Sequence, residues 1–470
     1  MRWTSRRNKQ PWHFLTVSSQ DIGLLSAEHE RPTTPSEDQP EVDNASESFL
    51  NTLRPAVSTG LLDDCTSVER QLFQYCESEK KIARRKKKET NEFQDLQVIC
   101  KVRVFQDEPS NHFRSLVAPL CSGKRPLLYA VLSLSANDRR VETNVDYGQL
   151  SLSYKSKALR LLRESVADMW YANEALMTCL ILCSLEIASG SRPDWVRHAQ
   201  GAFAIIHSFA AFIDPQILFF VYSYFQFRAV FFLTTTPCGQ PADENTLDSQ
   251  SALQCFPDIG SDVDQGVNNR DKIQPHMGCS LSLLDIIAKT TRLVQQKREL
   301  RRDGRSSLAC EETLRGQAMS IRSELDSLTG ENPSGSDYLA TCAECFRMAA
   351  DLFLQLACDI PLSQPALQEQ LDSLLDRIGQ VINEDQERQL FPMWPLFLAG
   401  CLSSVDEDRL RVLDYFAVLS QQWPISNIPV VREATETIWK SRDLNPDGQG
   451  KNGLDWQMII DQMNWKLALS

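Results

Sequence analysis

Residues 217–233 read ILFFVYSYFQFRAVFFL, an apolar and aromatic run about as long as the shortest segment that spans a bilayer. Such a run has two homes, a membrane or the interior of a protein. Gln226 and Arg228 fall in its second half, and a guanidinium at bilayer depth is costly. Tyr222, Ser223 and Tyr224 add further polar groups. The expectation is therefore a helix buried among other helices, with no membrane contact. Asp214–Pro215 just before it sets the start, because Asp can accept hydrogen bonds from the first-turn amides and Pro suits the first helical position.

A helix that must be covered on all sides needs many partners, and the chain supplies them. Residues 174–189 (EALMTCLILCSLEIAS) are apolar on nearly every face, which predicts a second central helix, stopped at Gly190 and kept from resuming by Pro193. Tyr154, Ala158, Leu161, Leu162, Val166 and Met169 recur at three- and four-residue steps, opposite Lys155, Lys157, Arg160 and Arg163, as on an amphipathic helix. Two short helices are expected between Phe113 and Asn137, broken around Ser122 to Pro126, and another from Trp195 to Phe212. Further helices are predicted at 280–302, 309–328, 336–357, 365–384, 392–403, 406–420, 428–441 and 455–468. No strand alternation and no fixed repeat emerge. The fold class is all-α.

Elsewhere the pattern is polar. Residues 1–64 lack a sustained hydrophobic period, and TTPSEDQPEVDNASES at 33–48 cannot bury enough apolar surface to offset its ordering entropy, so a disordered leader is expected. The acidic stretch followed by Phe49, Leu50 and Leu53 is either a weak activation sequence or a solvated leader. Residues 65–112 read as a helical lead-in interrupted by a basic insertion, 113–233 as the first helical part, 234–278 as a long disordered loop, and 279–470 as the second helical part.

The chain is acidic, with a formal charge of -13, so its bulk repels a phosphate backbone. Against that stands one basic run, Lys80, Lys81, Arg84, Arg85, Lys86, Lys87 and Lys88, whose density suits nuclear import or a nucleic-acid patch and equally a solvated helix face. The group Lys297, Arg298, Arg301, Arg302 and Arg305 ends a helix, where cations favour the dipole.

Signatures of chemistry are sparse. The fourteen cysteines are scattered through apolar runs, no secretory signal opens the chain, and a reducing compartment is implied. Cys342 and Cys345 form a CxxC without two further ligands nearby, and they share a stripe with Leu339, Phe346, Ala349 and Phe353, so they read as core, as do Cys179 and Cys183. The six histidines at 13, 29, 112, 198, 207 and 276 fit no metal or catalytic motif and are expected to be satisfied or exposed. CSGKRP at 121–126 lacks the glycine a P-loop requires, and no GxSxG or GxGxxG occurs. No metal, cofactor or catalytic residue is assigned, and no enzyme activity is expected. The aromatic residues of 219–232 either fill a core or line a ligand pocket.

The order of several fragments carries more information than any motif. HFRSLVAPLC, LLYAVLSLSA, YKSKALRLLRESV, EALMTCLILCSLEI, WVRHAQGA and VYSYFQFRAV, followed by MWPLFLAGCLSS, ATETIWKSRD and DWQMIIDQMNWKLALS, resemble the fungal-specific transcription factor domain over roughly residues 65–470. That domain is the C-terminal regulatory domain of fungal six-cysteine zinc-cluster factors. The resemblance implies an all-α regulatory domain, nuclear location and control of RNA polymerase II genes. It also implies partners: other transcription factors, a second copy of the chain as a homodimer, or a small-molecule effector.

Two departures from the family's pattern bear on mechanism. The family's DNA-reading module begins CxxCx6C, whereas no cysteine precedes Cys65 here, so no zinc ligand can be placed on this chain. Zinc is expected only with an N-terminal cluster outside this sequence. A few dozen residues, the basic run included, also separate the ERQLFQY segment from FRSLV. DNA is then reached indirectly or weakly, through a partner or an unseen exon. The competing expectation is a metabolite-sensing or corepressor module that touches no DNA.

Overall fold

The computed structural model describes Thr66, residues 68–69, and residues 98–109, 111–121, 126–139, 147–166, 168–190, 194–236, 270–304, 308–332, 335–358, 365–384, 389–422, 427–444, 454–463 and 465–469. The expected leader at 1–64 and the basic run at 80–88 lie outside them. Among the described residues the architecture is all-α. A single isolated antiparallel bridge, Ile273 with Ser280, is the one piece of β pairing there.

The first helices are α1 (Pro126–Arg139), α2 (Tyr147–Ser165), α3 (Ala172–Ala188), α4 (Asp194–Phe209) and α5 (Pro215–Thr235). The second set is α6 (Leu281–Arg302), α7 (Leu308–Ser327), α8 (Asp337–Ala357), α9 (Pro365–Glu384), α10 (Met393–Leu402), α11 (Asp406–Gln422), α12 (Ile428–Leu444) and α13 (Trp456–Gln462). A π-helical turn, Phe113–Val117, precedes α1.

Local chemistry sets several of these boundaries. The Asp214 carboxylate accepts from the amides of Gln216 (2.8 Å) and Ile217 (3.4 Å), with Pro215 at the first position of α5. Gly190 ends α3 with φ +105°, a conformation in which a Cβ would be strained. Ser280 and Ser336 cap α6 and α8 by accepting from the amides of Leu283 and Leu339.

Two hydrophobic cores result, and α5 belongs to both. The first gathers α1–α4 around α3, whose residues are buried on every face, Glu174 and Glu186 included. The second gathers α6–α13 around α8, α10 and α12. Along α5, Phe220, Phe225 and Phe232 pack into the first core, while Phe227, Val230 and Phe231 pack into the second. Phe231 stacks on Phe346 (5.4 Å) and Trp394 (5.0 Å), and Phe232 meets Trp195 edge-on (5.3 Å). Each fully buried ring contributes about 1.5–3 kcal/mol. The helix is long and apolar enough to cross a membrane, yet most of it is buried inside this protein.

Four expectations need correction. The lead-in at 65–112 is not helical throughout: after the turn Val98–Lys101 the chain leaves helix and straps the two cores together. Buried Phe105 donates its amide to Pro275 O (2.7 Å), and Val104 O accepts from Leu390 N (3.0 Å). Gly278, at φ +72°, gives the Phe105 ring its space, since a Cβ there would lie 2.8 Å from it.

The polar loop expected at 234–278 is also bounded differently. Thr234 and Thr235 remain in α5, and residues 270–280 form a docked turn, because Ile273, Met277 and Cys279 are buried and Ile273 N donates to Glu331 O (2.9 Å). The last helix stops at Gln462 rather than 468. Residues 465–469 carry no helix, and Leu467, Ala468 and Leu469 are all buried, Leu467 and Leu469 in the second core and Ala468 in the first. Finally, Lys155 is not on a solvent face; it is buried against Glu186 at 2.8 Å.

Candidate regulatory site

The polar groups buried at the seam between the cores make the strongest site. α5 supplies Ser223, Tyr224 and Arg228 from one side, and α3 supplies Cys183 and Ser184. The docked turn adds His276, and the segment before α1 adds Arg103, His112 and Phe113. The Ser184 and Tyr224 hydroxyls share a 2.5 Å hydrogen bond, and Arg228 donates from Nη1 to Tyr224 O (3.1 Å). The guanidinium carbon lies 3.4 Å from the centre of the Tyr224 ring, a close cation–π stack.

His276 lies 2.8 Å from Ser223 Oγ, which also donates to Phe220 O (3.0 Å). With the hydroxyl proton turned to that carbonyl, the imidazole donates to the serine instead of activating it, and this Ser–His pair is no nucleophile. Burial, reinforced by the charges of His112 and Arg228, lowers the His276 pKa to about 3, so its ring is neutral. Burial likewise lowers that of His112, which stacks on Phe220 at 5.1 Å. The Cys183 thiol is pushed up to about 12 by burial despite nearby Arg228, and burial raises the Tyr224 phenol as well. Arg103 is paired with Asp138 (2.9 Å).

One turn further along α3 from Cys183 sits a second buried group. Glu186 Oε1 is 2.8 Å from Lys155 Nζ and 3.6 Å from His198 Nε2. Burial alone would raise its pKa, but His198 and Lys155 together hold it at about 2. Geometry favours Lys155 as the nearer partner, because 3.6 Å exceeds a hydrogen bond. Neither His198 ring nitrogen is hydrogen-bonded, contrary to the expectation of a satisfied or exposed histidine. His207 is exposed, as expected.

The remaining candidates resolve into structural roles. Cys342, Cys345, Cys179 and Cys183 are all buried core residues. Among the described residues no three His, Cys, Asp or Glu side chains are gathered to hold a metal. From the basic group, Lys297 donates to Ala357 O at the end of α8 (2.8 Å), and Arg298 donates to Leu454 O (2.8 Å) and to Gln457. Arg301 lines a cavity of about 220 Å³ between α6 and α7, with Lys297 and Arg315; Arg305 lies outside the described residues. Phe219–Phe232 fill the cores rather than an open pocket.

Sequence reasoning missed the seam. Arg228 was visible as an anomaly inside an apolar run, but nothing in the sequence ties it to His276, which lies across an intervening polar stretch.

The model of the fungal specific transcription factor domain matches residues 96–470. No curated protein and no solved structure matches the chain.

Proposed function

We propose a mode of action from one premise: the chain belongs to the fungal specific transcription factor domain family, and its role is transcription regulation. The match over 96–470 carries the proposal, and the all-α architecture agrees with it. The chain acts in the nucleus on RNA polymerase II genes. It reaches promoters through a partner, either another transcription factor or a second copy of itself, and grips DNA only weakly. A formal charge of -13 supports this division of labour, since phosphate contacts need a basic face.

The run Lys80, Lys81, Arg84, Arg85, Lys86, Lys87 and Lys88 serves import. Induced depletion of the chain in its host, read as transcript levels, tests the role: a discrete set of genes should change promptly. No change in any transcript would overturn it. Alanine at Arg84–Lys88 should abolish nuclear accumulation, and unchanged accumulation refutes the import role. Purified chain should show no steep salt-dependent retention on duplex DNA; such retention would move DNA recognition onto the chain itself.

A second reading has one observation in its favour. The polar seam around Arg228 is a place where a small molecule would bind between two cores, as in a sensing or corepressor module. Such a module would alter transcription without touching DNA.

A further inference from the structure

Among the described residues, Arg228 is a buried cation without a counter-charge. It is 6% exposed, and among the described residues it forms no ion pair. The groups facing it are neutral or cationic: Cys183 and Tyr224, both protonated; Ser184; neutral His276; and, beyond Tyr224, Arg103. Three acids of the neighbouring elements are committed elsewhere, Asp138 to Arg103, Glu186 to Lys155 and Asp285 to Arg270. A buried charge left uncompensated is strongly unfavourable, and an anion bound beside it would remove much of that cost.

The guanidinium shows which edge is open. Nη1 is spent on Tyr224 O, and one face is covered by the Tyr224 ring. Nε has no acceptor, and neither has Nη2 among the described residues. Those two nitrogens form the side-on fork that receives a carboxylate with two parallel hydrogen bonds.

We propose that Arg228 anchors the carboxylate of a small organic acid at the seam between the two cores, with its Nε–Nη2 edge as the receiving fork. A single unit charge is what the site balances: Arg103 is already neutralised by Asp138, so a dianionic phosphate would leave an uncompensated negative charge. A carboxylate held there pairs with a cation of α5, and its binding stabilises the folded chain by mass action.

The claim concerns binding alone and stands apart from the transcriptional role, so the two fail separately. Purified full chain is melted at pH 7 and constant ionic strength while sodium acetate, sodium benzoate, sodium chloride or inorganic phosphate is titrated. At least one carboxylate should raise Tm saturably, because a ligand of the folded state stabilises it by mass action. Chloride and phosphate should not. In Arg228→Met the saturable shift should vanish, while the ligand-free variant melts no lower than the parent, since it loses an uncompensated buried charge.

The absence of a saturable shift with both carboxylates, an equal shift with chloride or phosphate, or an undiminished shift in the variant would each overturn the proposal. Should Arg228→Met not fold, Arg228→Lys keeps the charge without the fork and should raise the carboxylate midpoint about ten-fold or more. An unchanged midpoint there would equally overturn it.

Discussion

His276 and Glu186, with His112 acting alongside His276, contribute to how the protein responds to acid, and they act in different ranges. His276 is held neutral down to about pH 3, whereas in the unfolded chain it takes a proton near 6.5. The unfolded state therefore binds more protons below 6.5, and stability falls as pH drops from there toward 3. Glu186 is depressed to about 2 from 4.5, so its contribution is present above 4.5 and lost as pH falls toward 2. Denaturant melts from pH 7 to 3 should show a decline that begins below 6.5, with its first part flattened in His276→Gln and its steepening below 4.5 reduced in Glu186→Gln. A decline of unchanged shape in His276→Gln would remove that residue from the account. The Glu186–Lys155 pair admits a second test. Glu186→Leu alone strands a buried ammonium and should cost about 3–5 kcal/mol, whereas Glu186→Leu with Lys155→Met should cost much less. Equal losses in the single and double variants would mean the pair is not coupled.

At the scale of elements, α5 is the member on which both cores depend, and its neighbours show what sequence pattern conveys. Phe231→Ala, which removes a ring stacked between Phe346 and Trp394, should cost about 3–5 kcal/mol by urea denaturation, and a loss below 1 kcal/mol would deny α5 that role. The start of α5 was readable because Asp214 and Pro215 act within one turn, and the end of α3 because Gly190 adopts positive φ. The helices from α6 to α12 were readable for a related reason: their apolar spacing is a property of each segment by itself. Residues 270–280 were not readable. Their polar composition announces a loop, and what holds them is distant: the Phe105 ring over Gly278, and Glu331 O accepting from Ile273 N. Lys155 failed for the same reason, since its cation looks solvent-facing until Glu186 and His198 are brought up from α3 and α4. The seam around Arg228 is wholly of this kind, and a lone cation in an apolar run was its single sequence trace.

For the whole molecule, the shared helix and the strap through Val104 and Phe105 couple the two cores, and Leu467, Ala468 and Leu469 enter both. The cores should therefore unfold together, with tryptophan fluorescence and far-ultraviolet circular dichroism giving one coincident transition; two separated transitions would show independent halves. That coupling suits a regulatory body in which an event at the seam reaches surfaces on either side. The most direct test of the account fuses the full chain to an unrelated DNA-binding domain and measures transcription from a reporter bearing that domain's site. The account predicts a clear change in reporter output, up or down, relative to the DNA-binding domain alone. Unaltered output from a fusion shown to be folded, nuclear and bound at the site would contradict it.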